Sequence, residues 1–303
     1  MSVSITSTYA GEFAGKYIAA SLLTAKTIDD GAITVLPNIK LKSTMKVGAF
    51  SNLIKNASCD FDTTTSSLAL TEKTLTPKEL QVNIDICKKD LHSDWEAAQM
   101  GFSAFDELPP LFSDFVISRV AAEVASATET AIWSGTDTDG SFAGLKAQIN
   151  ADGNRTLVTA TDITSSNVVA QLGAVIDSIP AGVYGSEDLY IYCAQNVFKA
   201  YIRALGGFAA TNSGVDAKSH TFYNGGELSF DGVKLYPTSG MGANEMVAAR
   251  SSNLFFGTGL LNDYNEVRVL DMAELDGSQN VRVIMRYTAG TQIGVGSDIV
   301  LYT

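Results

Sequence analysis

Histidine is almost missing from this chain: only His92 and His220 occur in 303 residues. Nucleophilic catalysis at neutral pH leans on a base beside the nucleophile. Neither histidine stands in a diagnostic Ser-His or Cys-His spacing, and no G-x-S-x-G surrounds a serine. Both are read as surface or satisfied structural residues. Cysteine is scarce as well. Cys59, Cys87 and Cys193 are odd in number, far apart and never in a C-x-x-C pair, which signals neither a disulfide framework nor a zinc site. Three buried, reduced thiols are expected, and no metal or cofactor.

Positive charge is also in deficit. Lys and Arg total 21 against 33 Asp and Glu, a net charge of −12, and Lys88-Lys89 is the only adjacent basic pair. Sequence-specific nucleic-acid binding requires clustered cations to neutralise phosphate, so it is disfavoured. A container for nucleic acid is not disfavoured, and the fold can still bring a few inward Lys or Arg together. The acidic surface resists nonspecific aggregation at high concentration. No apolar run approaches the ~18 residues that a membrane span needs. The opening MSVSITSTYAGEFAGKYIAA lacks the basic region, apolar core and cleavage site of a secretory signal. A soluble protein that stays in the cytoplasm where it is made is the expectation.

Phosphate cradles are absent too: there is no G-x-x-x-x-G-K-[ST] and no G-x-G-x-x-G after a strand. The carboxylate pairs Asp29-Asp30 and Glu187-Asp188 sit in turn-like contexts where solvated capping is the default. Such pairs are too common in an acidic chain to mark a hydrolase. Neither catalytic, cofactor-binding nor metal residues can be named, and the chain is not expected to be an enzyme.

What is present is structural patterning. Hydrophobic residues are 46% and charged residues 18% of the chain, enough for a sizeable core, and the length suggests two subdomains or one elongated domain. Residues 9–28 place Phe13, Tyr17, Ala20 and Thr24 at helical spacing, and residues 29–43 look extended after Gly31 and Pro37. Residues 56–79 are dominated by Thr and Ser and hold few apolar groups. They are flanked by TMKVGAF and by LQVNIDI, in which Leu80, Val82, Ile84 and Ile86 alternate with polar residues. A long β-hairpin or extended loop leaving the body is predicted, and an isolated hairpin is marginal, so it should lie on something.

Residues 110–134 form a long helix with Leu111, Phe112, Phe115, Val116, Val120, Val124, Ala127 and Ala131 in one stripe, about 35 Å in length. Trp133 is expected to anchor its end and Trp95 to lie in the core. Further on, 164–180 reads as a helix with Val168, Leu172, Val175, Ile176 and Ile179 inward and Pro180 as its stop. DLYIYCA is a short buried strand, and QNVFKAYIRALGG is a helix closed by Gly206 and Gly207. Asp231-Gly232 between two alternating runs signals a hairpin. EVRVLDM, VRVIMRY and DIVLYT are strands. The class is α+β, with no fixed-period repeat.

The most tempting local motif is GTDTDG, residues 135–140, which is similar to a calcium loop. Aligned on Gly140, Asp137 and Asp139 fit, but the first ligand position is Gly135 and the twelfth is Lys146. A polar helix-ending turn is the better reading, with the stretch Gly135 to Gly144 acting as a hinge between structural parts.

The order of elements carries more than any motif. The N-terminal arm, the hairpin around 43–87, KKDLHSDWEA before the long helix, IWSGTDTDGSFAGL at its end, AQNVFKAYIRALGGF, ELSFDGVKLYPTSGM, SSNLFFGTGLLNDYNEVRVLD and VRVIMRYTAGTQIGVGSDIVLY follow one another along the chain. Over nearly its whole length the sequence resembles the major capsid proteins of tailed bacteriophages, with the Hong Kong 97-type fold. The resemblance implies an N-terminal arm at 1–42, an extended loop at 43–80, a peripheral domain at 81–155 with spine helix 110–134, an axial domain at 156–261, and peripheral strands at 262–303.

It further implies self-assembly into pentamers and hexamers that form an icosahedral head around double-stranded DNA, held without sequence specificity and without a membrane. Partners would be the chain itself, a portal, decoration proteins and a separate scaffolding protein, since only about 40 residues precede the hairpin. The location implied is the virion capsid, assembled in the host bacterial cytoplasm. Some family members crosslink a loop lysine to a neighbour's asparagine; Lys46, Lys55, Lys73 and Lys78 lie in that region, and nothing in the sequence marks one as reactive. Two other readings remain open: an encapsulin-type nanocompartment shell, and a carboxylate-dependent hydrolase or sugar-binding module.

Overall fold

The computed structural model describes residues 26–39, 41–51, 54–57, 67–87, 110–205, 228–259, 268–272 and 277–303. Their helices are α1 (Lys26–Asp29), α2 (Pro110–Ser134), α3 (Leu145–Asp152), α4 (Val168–Asp177) and α5 (Gln195–Ala204). The strands are β1 (Thr34–Leu36), β2 (Ser43–Ser51), β3 (Ser67–Leu75), β4 (Lys78–Cys87), β5 (Thr156–Val158), β6 (Leu189–Ala194), β7 (Ser229–Phe230), β8 (Val233–Thr238), β9 (Met246–Arg250), β10 (Leu254–Thr258), β11 (Arg268–Asp271), β12 (Asn280–Ile293) and β13 (Val300–Tyr302).

One sheet runs β5-β13-β9-β6-β8-β7 and mixes parallel with antiparallel pairs. Its central strands are nearly continuous in apolar residues because both faces are covered. Ile191, Cys193, Met246, Ala248, Val300 and Tyr302 point into one core, under α4 and α5. Tyr192, Val247, Ala249 and Leu301, their neighbours along the same strands, point into the other. The two-residue period of a strand thus divides LYIYCA, MVAAR and VLY between two cores.

The second core lies between this sheet and a five-stranded one. Strand β12 is the axis: β4 pairs along one edge, and β11 and β10 share the other, with β1 added in parallel to β10. Val283, Met285, Tyr287 and Ala289 face this core, whereas Arg282 and Arg286 are exposed. VRVIMRY and DIVLYT therefore belong to different sheets, and β10 pairs with β12 and β1 rather than with β9, the strand just before it.

The long helix begins and ends where the sequence places it. Pro110 takes the first helical position, where its missing N–H is not needed. Gly135 stops the helix by close packing: a β-carbon there would lie 2.1 Å from the Phe142 carbonyl oxygen. The side chains of Leu111, Phe112, Phe115 and Val116 lie outside the described residues, and the rest of the buried stripe differs from the expectation at Ala127. Val120, Val124 and Ala131 are buried, but Ala127 is exposed, and Thr128, Glu129 and Ile132 are buried instead. With 3.6 residues per turn the stripe advances by fours from Val120 to Ile132, which carries Ala127 off the contact line.

The hairpin also departs from the expectation. β2 pairs with β3, from Ser43 opposite Leu75 to Ser51 opposite Ser67, while LQVNIDI pairs with β12. The second hairpin strand is drawn from the Thr-rich stretch itself, because β-branched residues favour extended backbone whether or not they bury apolar surface. The Asp231-Gly232 hairpin forms as expected, with φ of 46° and 81° at its two turn residues, the conformation a type I′ turn requires. The five residues expected inward on the helix before Pro180 are all buried, and α4 covers the first four of them. Of the helix expected over 9–28, only residues 26–28 lie within the described residues, where they form part of α1.

Candidate functional site: the anchor of arm and hairpin

The C-terminal end of α2 is where distant parts of the chain converge. Trp133 is 1% exposed and its ring centroid lies 4.9 Å from that of Tyr192, which in turn meets Tyr190 and Tyr236 at 5.9 and 5.8 Å. The indole N–H donates to Thr27 Oγ1 at 3.0 Å. The Thr27 N–H and hydroxyl both bond the carboxyl of Glu129, one helical turn before Trp133.

The arm segment is held further along. Tyr236 OH donates to Asp30 Oδ2 at 2.8 Å, Tyr192 OH to the Ala32 carbonyl, and Thr34 Oγ1 to the Ser251 carbonyl at 3.1 Å. The Asn38 and Ile39 amides then bond the Gly259 and Thr258 carbonyls at 2.6 and 3.1 Å. Residues 26–39 are thereby fixed to strands of both sheets, over the core that holds Trp133 and Tyr192.

Glu129 is the only charged side chain fully buried among the described residues. Loss of water pushes its pKa above the ordinary carboxylate range; the bonds from Thr27 and Trp133 pull it partly back, and the nearby Asp30 carboxylate raises it further. Burial likewise pushes the Tyr192 phenol well up, and burial followed by the Asp30 contact does so for Tyr236. A backbone crossing keeps Glu129 in place: a β-carbon on Gly240 would lie 2.1 Å from the Glu129 carbonyl oxygen, so only glycine fits, and the Gly240 carbonyl accepts from Ser134 Oγ at 2.8 Å.

The hairpin has its own fastening. Leu75, fully buried, and Ile39 occupy the space left by the missing side chain of Gly257. Lys73 Nζ reaches Asp152 Oδ2 at the end of α3, 2.6 Å away, and Gln292 Nε2 donates to the Thr74 carbonyl at 2.9 Å. Lys78, first residue of β4, enters the GTDTDG turn. Its Nζ lies 2.8 Å from the Thr138 carbonyl, 2.9 Å from the Ser141 carbonyl and 3.3 Å from Asp137 Oδ1. The cation in this calcium-like turn is the chain's own ammonium group. A Thr136–Ala143 bridge and a bond from the Gly144 amide to the Gly135 carbonyl close it into a pinned clasp.

Of the four lysines in the loop region, Lys46 pairs at 3.6 Å with Glu72 on the surface of the hairpin, Lys73 and Lys78 are engaged as above, and Lys55 has a partner. Asp188 accepts from Ser252 Oγ at 2.6 Å. Cys193 is wholly buried, which pushes its thiol up to about 12, and Cys87 is half-buried. Cys59, His92, His220, Trp95, Lys88-Lys89 and Gly206-Gly207 lie outside the described residues. Among the described residues no three His, Cys, Asp or Glu side chains gather as metal ligands, and no helix is long and apolar enough to cross a membrane. Trp133 stands at the helix end as expected, whereas Glu129 and the tyrosines beside it carry no signal in the sequence beyond the four-residue spacing of Glu129 and Trp133.

No protein-family model matches the chain, and no curated protein sequence matches it. Solved structures do, over nearly its full length. A chain from the capsid of Myoviridae phage XM1 is 15% identical with a TM-score of 0.62, covering 97% of this chain and 96% of that one. A chain from the capsid of a native GTA particle is 13% identical with a TM-score of 0.61, covering 95% and 93%. A chain from Mycobacterium phage Bobi is 12% identical with a TM-score of 0.59, covering 99% and 95%. The fold is the α+β fold of tailed-phage capsid chains, the Hong Kong 97 type that the sequence resembles.

Proposed function

We propose that this chain is the major capsid protein of a tailed phage, a non-enzymatic shell subunit. The observation that carries the reading is the near-complete coverage, on both sides, between this chain and chains of phage and GTA capsids. The anchored arm and hairpin support it. Two strands joined mainly to each other are marginal alone, and a hairpin tied down at its base has its remaining surface available to a neighbouring copy. Head-to-tail contacts of that kind close into rings.

In this reading the subunits form pentamers and hexamers of an icosahedral head that encloses double-stranded DNA without sequence specificity. Residues 1–42 serve as the arm, 43–80 as the extended loop, 81–155 with 262–303 as the peripheral domain and 156–261 as the axial domain. The sheets suggest two exchanges, with β10 joining the peripheral part and β13 the axial part. A portal, a separate scaffolding protein and decoration proteins are the further partners. The place of action is the virion, after assembly in the host bacterial cytoplasm. Negative-stain electron microscopy of the protein, expressed alone and with the scaffolding gene of its own genome, tests this: rings or closed shells are expected, and a monodisperse monomer in both cases would refute it.

A further inference from the structure

Among the described residues the buried carboxyl of Glu129 has only uncharged partners. Oε2 accepts from the Thr27 amide at 3.2 Å, Oε1 contacts the Thr27 hydroxyl, and that hydroxyl accepts from the Trp133 indole. The titratable groups around it come from each packed element. The arm supplies Lys26, Asp29 and Asp30, strand β6 supplies Tyr192, and strand β8 supplies Tyr236. Lys26 is exposed and makes no ion pair with Glu129, while Asp30 opposes a second negative charge and is itself bonded by Tyr236. On the remaining side the Gly240 backbone closes over the helix.

We propose that Glu129 is a proton-operated latch on the N-terminal arm: protonated, it holds residues 26–39 on the body, and ionised, it loosens them. The neutral carboxyl can donate its proton to Thr27 Oγ1, which has a lone pair left beside the one taken by Trp133, while its other oxygen accepts the Thr27 amide. No charge is then buried, and only the Thr27 hydroxyl proton, which is donated to Oε1 in the structure, has to turn to another acceptor. Ionised, the same carboxylate is an unpaired charge in a dry site, and the cheapest relief is to let water in by lifting Thr27 away. The folded-state pKa is raised above the ordinary 4.5. The latch is therefore fully closed below that value and weakens as pH rises through the raised one. This is a property of the single chain and does not rest on the capsid reading.

Hydrogen–deuterium exchange on the full-length protein, corrected for intrinsic rates, tests the latch between about pH 5 and about pH 9. Protection of residues 26–39 is expected to fall with rising pH, by up to about tenfold per unit, while the strand 189–194 stays protected. Glu129→Gln keeps both contacts, its amide donating to Thr27 Oγ1 and its oxygen accepting the Thr27 amide, and should hold protection flat. Thr27→Val, which removes the hydroxyl, should lower protection at every pH. A pH-independent wild type, a parallel fall in 26–39 and 189–194, or a Glu129→Gln profile that follows the wild type would each overturn the proposal.

Discussion

Lys78 Nζ lies 2.8 Å from the Thr138 carbonyl oxygen, inside the turn that ends the long helix. The residue that starts the long edge strand thus closes the clasp at the tip of α2, and two segments some sixty residues apart in sequence share one cation. Lys78→Met leaves the Thr138 and Ser141 carbonyls to water. A loss on the order of 1 kcal/mol in urea unfolding is expected, since the ammonium is partly exposed. Asp137→Asn should cost less than half of that, because the 65% exposed carboxylate is the weakest of the three contacts.

Gly240 and Gly173 should respond oppositely to alanine. At Gly240 the new methyl would meet the Glu129 carbonyl at 2.1 Å, and a crossing between two backbones has no room to give; a loss of more than about 2 kcal/mol is expected. At Gly173, inside α4, a β-carbon meets nothing within 4 Å, and the helix should gain about 0.5–1 kcal/mol. Urea denaturation of the two variants checks both signs.

Much of the fold was legible because it is local. Pro110 and Gly135 bracket the long helix, Asp231-Gly232 fixes one hairpin, and the alternation in LQVNIDI marks a strand. What each strand pairs with was not legible. β4 meets β12 across about two hundred residues and β1 meets β10 across a similar span, and the pairing of remote strands leaves no local trace. The third strand was hidden by counting apolar residues where the backbone preference of threonine mattered. The anchor was hidden for a related reason: Thr27, Glu129 and Trp133 acquire meaning only once the helix end, the arm and Tyr192 are brought together.

Trp133→Phe removes both the indole donor and part of the ring packed on Tyr192. A loss of about 1–3 kcal/mol is expected, together with faster proteolysis before residue 40 than in the wild type. Limited proteolysis with mass mapping of the fragments distinguishes this local loosening from general unfolding.

Cys193 should be inert in the folded protein. With its thiol pushed up to about 12 by full burial, the thiolate is scarce at neutral pH and shielded from reagent. Mass spectrometry after iodoacetamide treatment should find Cys193 unmodified in buffer and modified in urea. Rapid native modification would contradict the packing of the core beneath α4 and α5.

Lys73 bridges the hairpin base to Asp152, whose side chain is 11% exposed. Lys73→Ala leaves that carboxylate with Asn154 as its remaining side-chain partner and should destabilise the base by about 1–2 kcal/mol. Amide exchange in residues 67–75 should rise while that of β6 is unchanged. Equal exchange at the hairpin base in variant and wild type would show that Leu75 alone holds it.

The proposed role as a shell subunit is tested most directly by cryo-electron microscopy of particles formed by the protein. Closed icosahedral shells of pentamers and hexamers are expected, with subunit density that fits this fold and the 43–80 hairpin lying on a neighbouring copy. Particles with no such lattice, or a chain that stays monomeric at high concentration with its own scaffolding protein present, would contradict it.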